Sequence, residues 1–128
     1  MVTQKNDIKN KKQIRASIER FYELIKKDRV LKIYFKSFDE QMWNDHLIAM
    51  TAFWSNILLF SDDYQGNPML MHYKINQIKN LKSSTFKRWL MLFEQAITDK
   101  HSGENVQMIL EKSKSIAQIL ESQIRQNQ

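Results

Sequence analysis

The sequence predicts an all-α fold, and three observations carry that expectation. The 128-residue chain holds only two glycines and one proline, so helix breakers are scarce. Apolar residues recur at spacings of three and four along nearly the whole length. No stretch shows the alternation expected of a half-buried strand.

The elements follow in order. From about residue 11, Ile14, Ile18, Phe21, Tyr22 and Ile25 share one helical face, and the helix is expected to end near Lys27, where lysines suit the helix dipole. Asp28 can cap a short helix over "RVLKIYF". Ser37 and Glu40 have the spacing of a capping box opening a long helix. On it Trp43, His46, Leu47, Met50, Phe53, Trp54, Ile57 and Leu58 form one wide apolar stripe. "GNP" at 66–68 breaks the pattern: glycine can reverse the chain, Asn67 is a good N-cap, and Pro68 suits a first helical position. Another helix is expected after Ser83 or Ser84, with Phe86, Trp89, Leu90, Phe93, Ala96 and Ile97 inward. "DKHSG" reads as a turn, and a last helix from near Ser102 would bury Val106, Ile109, Leu110, Ile116, Ala117, Leu120 and Ile124. A single domain over 1–128 is expected, with residues 1–10 a frayed basic tail.

Composition narrows the functional classes. Hydrophobic residues make up 42% and aromatics 11%, the profile of a globular chain. The absence of cysteine excludes disulfides, thiolate zinc sites and covalent haem attachment. No apolar run has the length of a membrane span, and the polar start is unlike a secretory signal, so a cytoplasmic setting is expected. The net charge of +6 suggests an acidic partner as one option, yet no motif that reads nucleic acid accompanies it. Phosphate cradles and nucleophile elbows are absent as well.

Three histidines remain for chemistry. His101 sits in the "DKHSG" turn and is expected to be exposed and inert. His46 interrupts an apolar stripe, which suits either a hydrogen-bonded core histidine or a functional one. His72 falls one turn after the rigid "GNP" corner, a placement that serves an axial metal ligand or is incidental to a helix–helix turn. A protein-only metal site lacks ligands here, whereas a porphyrin needs one axial histidine and an apolar slot.

Four segments, "RFY", "WNDHLIAMTAFW", "YQGNPMLMH" and "FKRWLMLF", stand in the order and approximate spacing found in group III truncated globins, and over about residues 18–98 the chain resembles that family. The resemblance implies a two-over-two helical sandwich around noncovalent haem b. It implies that His72 is the proximal ligand to iron, that Tyr22, His46 and Trp89 surround the ligand, and that Phe35 packs on the haem plane, with Leu47, Met50, Phe53 and Phe93 among the cofactor contacts. O₂ and other diatomic ligands are then the expected partners, together with an electron donor and neither nucleic acid nor membrane. Reactive-ligand chemistry, nitric oxide dioxygenase-like or peroxidase-like, is expected ahead of O₂ transport. Arg88, next to Trp89, is a candidate for the haem carboxylates or equally a surface residue, since adjacent helix positions face different ways. The chain departs from the family in "LKIYF", where Gly-Pro often precedes the phenylalanine, and at Thr85, where His is common. The competing class is a cofactor-free helical module that binds a protein or nucleic acid through its basic surface; it explains charge and periodicity but leaves His46 and His72 without a purpose.

Overall fold

The structure, a computed structural model, describes residues 5–59 and 82–126. Four α-helices occupy most of them: α1 (Lys11–Lys27), α2 (Glu40–Leu59), α3 (Ser83–Thr98) and α4 (Glu104–Gln126), with a 3-10 helix, Lys32–Phe35, between the first two. Among the described residues there is no strand, only an isolated bridge between Asn6 and His101. α1 packs against α2 and crosses to α3, and α3 packs against α4.

α1 forms because its apolar positions fall on one face and its start is well capped. The Asn10 side chain accepts from the Gln13 amide at 2.9 Å, and Gln13 Oε1 accepts in return from the Lys9 amide at 2.7 Å. The buried face is Ile14, Ser17, Ile18, Phe21, Tyr22 and Ile25, and Lys26 and Lys27 lie in the last turn as expected. Asp28 closes α1 through its backbone N–H, which donates to the Ile25 carbonyl, while its carboxylate accepts from the Val30 and Leu31 amides at 3.2 and 3.0 Å. The short helix predicted over "RVLKIYF" is thus a single 3-10 segment.

The start of α2 differs from the Ser37–Glu40 capping box. Asp39 Oδ1 accepts from the Met42 amide at 2.8 Å, so Asp39 is the cap and Glu40 opens the first turn. Two buried hydroxyls inside α2 satisfy themselves against the preceding turn: Thr51 donates to the Leu47 carbonyl and Ser55 to the Thr51 carbonyl, each at 2.7 Å. Ser83, expected as a cap of α3, is instead its first helical residue and gives its hydroxyl to Glu121 on α4.

The main core joins α1, α2, α3 and the start of α4 through residues such as Ile18, Phe21, Leu47, Trp54, Phe93 and Ile109. A smaller cluster of Phe86, Ala117 and Leu120 closes the far end of α3 against α4.

Residues 5–10 differ from the expected frayed tail. Ile8 is fully buried at 0% exposure. Asp7 accepts from the Asn105 amide at 2.9 Å and the Val106 amide at 3.1 Å, capping α4 from 98 residues away. Asn105 donates its side-chain amide to the Ile8 carbonyl at 2.7 Å, and the Lys5 ammonium donates to the Thr98 carbonyl at the same distance. One apolar residue and one acid suffice, because the end of α3 and the start of α4 offer unpaired backbone groups to meet. This also explains why α4 begins at Glu104 rather than near Ser102. Gly103 has a φ of 147°, and a Cβ there would lie 2.5 Å from Asp7 Cγ, so glycine is required for the close approach.

Candidate functional site

α1, α2 and α3 converge on a cavity of about 50 Å³. Tyr22 comes from the last third of α1, His46 and Met50 from successive turns of α2, and Trp89 and Phe93 from successive turns of α3. The i, i+4 spacing on each helix is what aims these pairs at one point. Ile18, Phe21 and Trp54 complete the lining.

Tyr22 Oη lies 2.5 Å from His46 Nδ1, and the two rings stack at 5.3 Å with 25° between their planes. Tyr22 is 5% exposed, and burial pushes its phenol well above the ordinary value. Burial pushes the His46 imidazole down to about 4, so the ring is neutral at neutral pH. A neutral phenol and a neutral imidazole carry two labile hydrogens between them. One occupies the Oη–Nδ1 contact. The other is left over, on Nε2 if the phenol donates or on Oη if the imidazole donates. In either tautomer the pair therefore retains one further donor.

Aromatic stacking holds the remaining walls. Trp89 lies parallel to Phe93 at 5.4 Å and edge-on to Phe21 at 5.6 Å. Trp54 stacks on the other side of the group, 5.7 Å from Phe93. Trp43 contacts Tyr22 from behind at 5.1 Å and stacks on Phe35 at 5.2 Å.

The predicted site residues divide accordingly. Tyr22, His46, Trp89, Met50 and Phe93 meet at the cavity. Phe35 is half-buried behind it against Trp43 and Phe38; Leu47 is buried in the core; Phe53 is half-buried against Trp54. His72 lies outside the described residues, as does the "GNP" corner. Ile18, Phe21 and Trp54 were not singled out for the site. Their signal was available in spacing: Ile18 is four residues before Tyr22, and Trp54 four after Met50.

Three other residues find partners in the packed structure. Arg88, a candidate for haem carboxylates, gives its guanidinium to Asp28, with Nε at 2.8 Å and Nη2 at 2.5 Å from Oδ1. Thr85 is buried, and its hydroxyl meets Tyr34 Oη at 3.1 Å, so the position where relatives often carry His ties α3 to the 3-10 helix. His101 is half-buried rather than exposed, with Nδ1 3.1 Å from the Asn6 carbonyl, where it helps hold the N-terminal segment.

A cavity of about 50 Å³ has the volume of a small ligand rather than of a cofactor, which needs several hundred. Its lining is apolar bodies with polar tips and contains no charged side chain. Among the described residues no group of three His, Asp or Glu could hold a metal by itself. Both observations fit the ligand side of a haem pocket, where the iron is brought by the porphyrin. No helix among the described residues is long and apolar enough to cross a membrane.

Among the described residues, α1, α2 and α3 converging on a Tyr–His–Trp cavity, with α4 packed on α3, define a truncated globin. Residues 6–122 match the family described as bacterial-like globin, and the chain belongs to it. A group 3 truncated hemoglobin, ctb, from Campylobacter jejuni is 29% identical over 111 residues, covering 84% of this chain and 85% of that protein. The crystal structure of group III truncated hemoglobin from Campylobacter jejuni superposes with a TM-score of 0.81 at 27% identity, over 94% of this chain and 95% of the other. The likeness read from the four motifs is thus found again by sequence and by fold. Family membership brings haem binding with it, and the cofactor-free module is not favoured.

Proposed function

We propose that this globin holds haem b noncovalently, with His72 as the axial ligand, and binds O₂ and other diatomic ligands in the cavity bounded by Tyr22, His46 and Trp89. The observation that carries the reading is the Tyr22–His46 contact in the wall of a small, largely apolar cavity that Trp89 also lines. Haem, when bound, supplies an iron with one open position for such a ligand. The chain contains no cysteine for thioether links, which supports noncovalent attachment.

The protein's own residues decide what happens to the ligand. Phe21, Trp54 and Phe93 exclude water, so a hydrogen bond inside the cavity acts in a low dielectric. The Tyr22–His46 pair presents one donor whichever way its shared hydrogen is assigned, and Trp89 brings an indole N–H. Because His46 is neutral, the pair donates without placing a full charge beside the ligand. Each neutral hydrogen bond contributes about 0.5–1.5 kcal/mol net. Two of them slow ligand loss by roughly one to two orders of magnitude, at about 1.4 kcal/mol per tenfold. Slow release disfavours transport and favours chemistry on the held ligand, with nitric oxide or peroxide as the reacting species.

Stopped-flow O₂ dissociation from Tyr22→Phe and Trp89→Phe tests this reading. Each variant is expected to release O₂ about two- to tenfold faster. Unchanged rates in both would defeat it. His72→Ala is expected to lose normal haem uptake; full uptake with an unaltered spectrum would remove His72 from its assigned place.

A further inference from the structure

The cations near the start of the chain fall in two runs, and Lys9 and Lys12 of the first form no ion pair with a carboxylate among the described residues. At the N-terminal end, the Lys5 ammonium donates to the Thr98 carbonyl and Arg15 pairs with Glu19 at 3.0 Å. A second cluster follows the end of α1: Lys26, Lys27, Arg29, Lys32 and Lys36, all exposed. Among the described residues none of these five pairs with a carboxylate. The acid in their midst, Asp28, is buried and already neutralised by Arg88. The flanking acids are engaged too, Glu23 with Arg20 and Asp39 with the Met42 amide. Val30, 43% exposed, lies among them in sequence.

Lys26, the first of this run, is one aromatic layer from the cavity. Lys26 Nζ lies 4.9 Å above the Trp43 ring, the Trp43 ring lies 5.1 Å from that of Tyr22, and Tyr22 lines the cavity.

We propose that the corner formed by Lys26, Lys27, Arg29, Lys32 and Lys36 is the docking surface for an acidic electron-donor protein. The proposal rests on the nitric oxide branch of the reactive-ligand reading, in which O₂ and nitric oxide would leave as nitrate with the iron ferric, so that one electron is needed per turnover. The transfer is one electron from the partner's reduced flavin or iron–sulfur centre to ferric iron, giving ferrous iron, with no atom exchanged. Three features select this partner. An unpaired cation cluster attracts an acidic surface and speeds encounter about 10- to 1,000-fold at low salt. An exposed apolar residue flanked in sequence by cations has the make-up of a small protein interface, and electron-transfer encounters are the small ones. Lys26, one ring layer from the cavity, would bring a partner docked on this run close to where the electron is used. A nucleic acid or an anionic membrane would be drawn by the same charge but gains nothing from that position.

The test uses the full haem-loaded chain in its ferric form and reduced flavodoxin as the acidic probe, in anaerobic stopped flow. The second-order reduction rate is expected to fall steeply as salt rises from low to about 0.5 M, as screening shortens the reach of the charges. Lys27→Glu/Arg29→Glu/Lys32→Glu is expected to slow reduction at least tenfold at low salt and to converge with the native rate at high salt. Lys9→Glu/Lys12→Glu, which reverses exposed N-terminal cations, is expected to change it less than threefold. Dithionite should reduce all three proteins at the same rate. Amide NMR with oxidised flavodoxin should shift residues 26–36. A native rate in the triple variant overturns the proposal, as do shifts confined to the N-terminal lysines. Loss of duplex DNA or anionic vesicle binding in the triple variant, with donor reduction intact, overturns it in favour of those partners. A chain that takes up no haem would sink the reading of the cavity, and the NMR titration would still decide the docking surface.

Discussion

Arg88 on α3 reaches across to Asp28 at the end of α1 and places Nε and Nη2 at 2.8 and 2.5 Å from one carboxylate oxygen. The Asp28 side chain is 4% exposed, whereas that of Arg88 is 40% exposed. Burial alone would raise the Asp28 carboxyl, but the Arg88 hydrogen bonds and the Leu31 and Val30 amides outweigh it and hold the carboxyl below its ordinary value. Trp89 is the next residue on α3, so this pair helps set where the indole enters the cavity.

The first prediction uses that asymmetry. Arg88→Met leaves a buried carboxylate without its counter-charge, whereas Asp28→Asn leaves an exposed guanidinium that water can solvate. Arg88→Met is therefore expected to be the more destabilising, and Asp28→Asn/Arg88→Met to be more stable than Arg88→Met alone. Urea unfolding at neutral pH measures all three. The contribution of Asp28 is fully present above the unfolded carboxyl value of 3.8 and is lost as pH falls through its lower folded value.

His46 predicts a second window. Its folded value of about 4 lies below the unfolded 6.5, so between these pH values the unfolded chain binds more protons. Stability is then expected to fall as pH drops from 6.5 to 4, by up to about 3 kcal/mol at about 1.4 kcal/mol per unit. Denaturant midpoints of the native protein and His46→Gln, measured across that range, should diverge at neutral pH and draw together at pH 4. Parallel midpoints would show that His46 does not set the slope.

Thr85 and Tyr34 form a third case. Both are buried and their hydroxyls are 3.1 Å apart. Thr85→Val and Tyr34→Phe are each expected to cost about 1 kcal/mol, and the double variant less than the sum of the two. A double-mutant cycle read by thermal unfolding checks the coupling, and strict additivity would exclude it.

The N-terminal clasp gives a fourth. Asp7→Ala removes the cap of α4 and is expected to cost about 1–2 kcal/mol. Hydrogen exchange should accelerate first at the Asn105 and Val106 amides, which donate to Asp7. Gly103→Ala forces a Cβ against Asp7 at a φ of 147° and should expose the same amides. Unchanged exchange in both variants would show that the segment does not cap the helix.

The helices of this globin are local objects, and their faces were legible in the sequence. Ile14, Ile18, Phe21, Tyr22 and Ile25 repeat with helical period, and burial of that face drives α1 onto the core. The cavity residues Tyr22, His46 and Trp89 were legible because the motifs around them resemble a known family, which periodicity alone would not have supplied. Contacts between residues far apart in sequence were not legible. Asp7 capping α4, Arg88 choosing Asp28 and Thr85 choosing Tyr34 depend on which polar groups the packed helices bring within about 3 Å. The spacing of apolar residues along the chain determined which segments are helices and which faces turn inward, since each helix answers to its own near neighbours. Only the packed molecule decided who pairs with whom, because a hydrogen bond needs a partner at a definite distance and direction, and such a partner exists only after the helices have met.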